Sequence, residues 1–143
     1  VWCDWQYMEE LNDQWGFVRG NFKDETFYKV PNFDVRKMIT AYIKPGYTFV
    51  SLDSDIALQR SGISLLGAVS PDRKELVVVA INRSNGAQSL MLSFDNLKPG
   101  KMFFVKLTDA NSSISPKGKF QKYSADAFLL SPQSISTFVV KLK

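Results

Sequence analysis

Apolar residues recur at helical spacing in one place and at strand spacing in many. Val35, Met38, Ile39, Tyr42 and Ile43 fall at i, i+3, i+4, i+7 and i+8, one apolar stripe along a helix from Asn32 to Lys44. Asn32 is the expected N-cap, Asp34 faces the positive end of the helix dipole, Lys44 sits in the last turn, and Pro45-Gly46 ends the helix. Upstream, Val1–Met8 is an apolar and aromatic run that suits a buried strand. Asn12–Lys29 is mixed and broken by Gly16, Gly20 and Asn21, so it reads as a long loop with Trp15 and Phe17 packed down. Long loops in compact domains are usually functional.

After Gly46 the period changes. Strands are expected at Thr48–Leu52, Ser64–Val69, Glu75–Arg83, Gln88–Phe94, Met102–Thr108, Phe120–Tyr123 and Ser134–Lys143. Ser70-Pro-Asp-Arg-Lys and Asn85-Gly86 read as turns between them, as does Leu97-Lys-Pro-Gly. Ile135, Thr137 and Val139 alternate with Ser136, Phe138 and Val140, and Glu75–Ile81 is nearly continuously apolar, as a central strand would be. Seven or eight short strands at this spacing predict an antiparallel β-sandwich. Residues 1–45 hold one strand and one helix with no sheet of their own, so they read as the last β/α unit of a larger α/β domain, with the sandwich occupying 46–143. The chain is thus expected to be mainly β, an antiparallel β-sandwich preceded by a barrel-type β/α unit.

Composition narrows the chemistry. The 143 residues are 45% apolar and 22% charged, which fits a globular chain and excludes disordered, collagen-like and coiled-coil classes. No apolar run reaches the ~18–20 residues of a membrane span. The single cysteine, Cys3, excludes a disulfide framework within the chain, and the lack of histidine removes Ser-His-Asp and Cys-His pairs and histidine metal sites. No metal site or cofactor is expected, and acid–base chemistry would fall to carboxylates. Asp53 and Asp55 lack the glycine and glutamate spacing of a calcium loop. The net charge of +4 is −1 over residues 1–45 and +5 over 46–143, with the basic residues spread out, which suits a solvated surface better than a nucleic-acid groove. The chain opens at Val1 with no signal segment, and reads as a piece of a longer protein.

Several motifs then carry a family resemblance. Val1-Trp-Cys-Asp-Trp-Gln-Tyr followed by Trp15-Gly-Phe-Val resembles the eighth barrel strand of glycoside hydrolase family 30 and its relatives, where W-x-D-W-[NQ] ends the strand. Phe27-Tyr-Lys-Val, the helix, and Ile43-Lys-Pro-Gly-Tyr47 resemble the family's run from the last loop into the last helix and its Pro-Gly junction. Leu130-Ser-Pro-Gln-Ser-Ile-Ser-Thr-Phe-Val resembles the closing strand of the family's side sandwich. The Trp-Gln wording and the Tyr-Lys-Val loop are most similar to endo-β-1,6-galactanases. The resemblance implies a (β/α)8 barrel with a sandwich beside it, hydrolysing glycosidic bonds with retention. It puts the acid/base and nucleophile glutamates after strands 4 and 7, so the chain would be the C-terminal part of the enzyme, secreted, periplasmic or on the cell surface, without a catalytic residue of its own. Its implied partners are a polysaccharide or oligosaccharide bound by the intact enzyme and the rest of the barrel, with no nucleic acid and no membrane span.

The residues themselves agree. Glu9-Glu10 is the only adjacent glutamate pair, and sequence neighbours point apart on any regular element, so it is not expected to be the paired carboxyls of a retaining mechanism. Trp5 is the leading substrate-binding residue: an indole stacks on the apolar C–H face of a sugar, and the resemblance puts it at the C-terminal end of a barrel strand, where barrel sites are built. Gln6 offers an amide to a sugar hydroxyl. Asp4 fits two readings equally, a polar sugar contact or a hydrogen-bonded structural carboxylate. Trp2 and Trp5 have opposite strand phase, so Trp2 joins the site only through a bend. Cys3 reads as an inert buried thiol. Asn82-Arg-Ser and Asn111-Ser-Ser match the glycosylation acceptor pattern. The competing reading is a stand-alone carbohydrate-binding or structural sandwich; the absence of tryptophan from residues 46–143 counts against a binding module. An isolated piece must still cover its helix stripe, on the sandwich or on another copy of the chain, and in the second case self-association is expected.

Overall fold

A computed structural model describes residues 7–10, 16–54, 62–108 and 120–143, with backbone alone at 106–108. In chain order the elements are β1 (Met8–Glu10), β2 (Val18–Asn21), β3 (Thr26–Lys29), α1 (Pro31–Thr40), β4 (Thr48–Val50), β5 (Ile63–Val69), β6 (Glu75–Asn82), β7 (Gln88–Leu90), β8 (Pro99–Thr108), β9 (Gln121–Lys122), β10 (Phe128–Leu130) and β11 (Ser134–Leu142). Contacts divide the chain into two compact units, Val1–Lys37 and Met38–Lys143, with the boundary inside α1.

The larger unit is built on a six-stranded antiparallel sheet in the order β4-β5-β6-β11-β8-β9, with a two-stranded antiparallel sheet of β10 and β7. β6 and β11 lie at its centre and are buried on both faces, which explains the unbroken apolar run of Leu76–Ala80. Leu76, Val78 and Ala80 pack with Phe138, Val140, Leu90 and Leu130 on one face. Val77 and Val79 pack with Val105, Ile135, Val139 and Met38 on the other. The alternation read in β11 therefore separates two cores. Phe103 and Phe104 take opposite faces: Phe103 joins the second core, and the Phe104 ring stacks on Phe138 at 5.7 Å.

The end of α1 and the turn after it belong to this second core. Met38 is fully buried, and Ile39, Tyr42 and Ile43 pack around it. Val35 departs from the expected stripe, because it is 41% exposed. The helix also starts earlier than expected. Pro31 takes the first helical position, where its missing N–H is no loss, and the Phe33 N–H donates to the Val30 carbonyl, so Asn32 is not the N-cap. Regular helix ends at Thr40; both Tyr42 N–H and Ile43 N–H then donate to the Ile39 carbonyl. That leaves the Met38 carbonyl without its usual partner, and the Thr137 hydroxyl donates to it at 2.6 Å. Tyr47 N–H closes on Lys44 O around Pro45 and Gly46, whose φ of +89° gives the type II turn that proline followed by glycine favours.

Tyr47 is fixed by a polar cluster. Its hydroxyl donates to Glu75 Oε1 at 2.6 Å, and Lys141 pairs with the other carboxylate oxygen. Burial, then the Glu75 hydrogen bond and the charges of Glu75 and Asp72, push the Tyr47 pKa from 10.0 up to about 12. The folded chain thus holds the neutral phenol where the unfolded chain ionises. The stabilisation is full below pH 10 and is lost as pH rises toward about 12. Urea titrations across that window should show stability falling, and Tyr47→Phe should flatten the fall; an unchanged slope in Tyr47→Phe would contradict the assignment.

Asn82 is a second buried polar anchor, 1% exposed. Its amide donates to the Gly86 and Ser131 carbonyls at 2.9 Å, and its oxygen accepts from Ser84 N–H and hydroxyl. With its nitrogen engaged and buried, the Asn82-Arg-Ser tripeptide is closed to glycosylation in the folded chain; Asn111 lies outside the described residues.

Candidate functional site

Trp2, Asp4, Trp5 and Gln6 lie outside the described residues, as do Cys3 and Trp15. Residues 7–10 and 16–29 are described, and in place of a single strand without a sheet and a long loop they form a three-stranded sheet in the order β1-β2-β3. β1 pairs in parallel with β2, Met8 opposite Val18, and β2 turns back on β3 as an antiparallel hairpin. The described end of the expected buried strand is open: Tyr7 and Met8 are exposed. The hairpin turn is chemically specified. The Asn21 side-chain oxygen accepts from the Lys23 and Asp24 N–H groups, its amide donates to Asp24 at 2.5 Å, and Glu25 closes the four-residue loop at φ +54°. Sequence patterning missed β3 because all four of its residues are exposed, which erases alternation; the β-favouring Thr26-Phe-Tyr sequence was the available signal.

This hairpin carries an unusual surface. Tyr7 is 65% exposed, Phe22 52%, Phe27 55% and Tyr28 52%. Phe22 and Phe27 meet edge to face at 6.2 Å, and both rings lie over Gly20, where a Cβ would sit 3.2 Å from Phe27 and 3.3 Å from Phe22. Gly20 therefore lets the rings lie down on the strand. Arg19 and Tyr28 are opposite one another in the ladder, with the guanidinium carbon 5.8 Å from the ring centroid. Phe17, half-buried, meets Tyr7 at 6.1 Å and Arg36 at 5.5 Å. The Phe22–Phe27 pair over Gly20 lies on one face of the hairpin and the Tyr28 ring beside Arg19 on the other, so each face offers an exposed aromatic surface of the kind that suits the C–H face of a polyhydroxyl ligand. Glu9 and Glu10 do point apart: Glu9 is buried and Glu10 exposed.

The larger unit holds a separate cleft of about 1050 Å3 between its two sheets, floored by Leu65, Val69, Leu76 and Val78 and walled by residues 88–97. Among the described residues, no group of three or more His, Cys, Asp or Glu side chains gathers to hold a metal ion, and no helix is long and apolar enough to cross a membrane.

Solved structures place this arrangement. No family model matches the chain, and no curated protein sequence does. The catalytic domain of GH30 xylanase C from Talaromyces cellulolyticus superposes with a TM-score of 0.74 at 20% identity, over 94% of this chain and 29% of that one. The chain has a GH30-like fold. The GH30 subfamily 8 xylanase Xyn30A from Clostridium acetobutylicum matches over 90% of this chain and 31% of its own, with a TM-score of 0.65 at 19% identity. An α-L-arabinofuranosidase, MgGH51, matches at a TM-score of 0.70 and 15% identity over 95% of this chain and 23% of its own. The mainly β, antiparallel architecture corresponds to the C-terminal domain of GH30 enzymes. This chain spans less than a third of the length of these GH30-like neighbours.

Proposed function

We propose that the chain is the C-terminal part of a retaining glycoside hydrolase that cleaves a β-linked polysaccharide outside the cytoplasm. In this reading residues 1–45 supply the last strand, loop and helix of a (β/α)8 barrel, and residues 46–143 form a side sandwich that stabilises it. The observation that carries the proposal is the superposition covering 94% of this chain but 29% of the xylanase. A retaining mechanism needs two carboxyls about 5–5.5 Å apart. Glu9 and Glu10, on opposite faces, do not provide them, and in this reading the pair is supplied by the rest of the barrel. Trp5, with Gln6, Asp4 and Trp2, would form the sugar wall at the end of the barrel strand, and the exposed hairpin that follows would extend it along the polysaccharide.

The sequence motifs favour β-1,6-galactan as substrate, and the xylanase neighbours make xylan the comparison. The longer polypeptide, incubated with each, should release reducing sugar from β-1,6-galactan with retained anomeric configuration by proton NMR. Inversion would exclude the mechanism, and exclusive action on xylan would exclude the galactan assignment. Within the hairpin, Tyr28→Ala should weaken binding of the polysaccharide by several-fold in an affinity gel while leaving the melting temperature nearly unchanged, since an exposed side chain contributes little to folding. Unchanged retention in the gel would remove the hairpin from the site.

A further inference from the structure

The turn between β6 and β7 carries the single Asn-Gly sequence of the chain, Asn85-Gly86. Both residues are exposed, as is Ala87 after them. The turn makes no use of glycine's conformational freedom. Neither residue has a positive φ, and a Cβ on Gly86 would meet only Gln88 Nε2, at 3.9 Å. What Gly86 does provide is a backbone nitrogen unshielded by a side chain. That nitrogen lies outside the strands, and its N–H points at Ser84 Oγ, 3.4 Å away, so no ladder must break to free it. Gln133 Nε2 donates to Asn85 Oδ1 at 3.2 Å. A donor at this oxygen polarises the side-chain carbonyl and favours charge developing there, while the amide nitrogen is left as the leaving group. Asparagine is among the thermolabile residues, and here it stands with its nucleophile and its activating donor beside it.

We infer that Asn85 is a site of spontaneous deamidation in the folded protein, and that its isoaspartyl product releases the buried anchor at Asn82. The Gly86 nitrogen gives its proton to solvent base and bonds to Asn85 Cγ. The Cγ–Nδ2 bond breaks and ammonia leaves, which closes a succinimide ring. Water then opens the ring at either carbonyl. One opening gives ordinary aspartate. The other gives isoaspartate, in which the chain runs through Cγ and gains a backbone atom. The net change consumes water and releases ammonia, with no oxidant or reductant. The added atom falls next to the polar network of this turn. The Gly86 carbonyl accepts from Asn82 Nδ2 and from Ser84 Oγ, both at 2.9 Å. Asn82 is 1% exposed, and the same amide donates to the Ser131 carbonyl ahead of β11. Moving the Gly86 carbonyl leaves a buried donor short of an acceptor and displaces β7, which begins at Gln88. Ordinary aspartate keeps the length of the backbone, and its carboxylate still accepts from Gln133. The inference does not depend on the glycosidase reading.

Ageing the folded protein at neutral and at mildly alkaline pH tests this, with the peptide that carries Asn85 followed by mass spectrometry and by enzymatic methylation of isoaspartate. The peptide should convert from amide to acid, faster at the higher pH because the Gly86 nitrogen must lose its proton, with isoaspartate among the products. The isoaspartyl fraction should melt below fresh protein. Gly86→Ala should remove the product over the same interval and leave the melting temperature of fresh protein unchanged, since nothing clashes with the added Cβ. Asn85→Asp should melt with the wild type, which separates the lengthened backbone from the added charge. An Asn85 peptide that keeps its amide in the folded protein, while an unstructured peptide of residues 82–90 converts, would overturn the inference. So would equal conversion in Gly86→Ala. Aged protein that carries isoaspartate and melts with the fresh sample would overturn the release of the Asn82 anchor.

Discussion

Phe138→Ala should cost about 3–5 kcal/mol of folding free energy, the largest single loss expected among the described residues. Phe138 sits on β11, the strand paired on both sides at the centre of the six-stranded sheet, and is 0% exposed. Its ring stacks on Phe104 at 5.7 Å and meets Phe128 edge to face at 4.9 Å, so it ties the large sheet to the small one. Truncation removes the transfer energy of the ring and leaves a cavity between two sheets that β11, held by ladders on either side, cannot collapse to fill. The urea midpoint should fall with little change in slope. Phe49→Ala is the comparison: Phe49 is 63% exposed on edge strand β4, and its loss should stay within about 0.5 kcal/mol. Comparable losses in the two variants would mean that the sheets are not joined through Phe138.

Trp5→Ala, made in the longer enzyme, should lower kcat/KM by roughly 10- to 100-fold. In the proposed reading the indole covers the apolar face of a sugar near the scissile bond. Full burial of a large side chain is worth about 1.5–3 kcal/mol, and ~1.4 kcal/mol corresponds to a tenfold change in rate. A tryptophan needed only for packing would also reduce activity, through unfolding, so melting temperature is measured on the same sample. Trp15→Ala is the control, since its expected role is loop packing. If Trp5→Ala keeps near wild-type efficiency and melts much earlier, the residue is core and the sugar wall lies elsewhere.

The features legible from sequence were those set by local period. The α1 stripe from Met38 to Ile43, the Pro45-Gly46 stop and the double-sided burial of β6 follow from spacing and from glycine's access to positive φ. The missed features depend on tertiary context. β3 is exposed on both faces, so no alternation marks it, and Asn21 specifies the β2–β3 turn through side-chain hydrogen bonds that patterning does not score. β10 is three residues long and merges in sequence with the turn before β11. β7 ends at Leu90 although Leu92 and Phe94 continue the apolar alternation, because the side chains still pack on the core after the ladder has stopped. The start of α1 moved because a proline at the first helical position fixes the entry by itself. Of the candidate site, Trp2, Asp4, Trp5 and Gln6 are named by motif and lie outside the described residues; the exposed rings of Phe22 and Phe27 on one face of the hairpin and of Tyr28 on the other were not marked, since exposed aromatics give the same pattern whether they lie in a loop or on a hairpin.

Reducing-sugar release by the purified 143-residue chain, set beside the longer polypeptide on the same β-1,6-galactan, tests the central claim most directly. A chain that lacks the acid and nucleophile of a retaining mechanism should release nothing above a mock purification, while the longer polypeptide releases sugar in proportion to enzyme added. Hydrolysis by the 143-residue chain itself, lost in parallel with the chain on immunodepletion, would contradict the account, because it would mean that a complete catalytic pair lies within these residues.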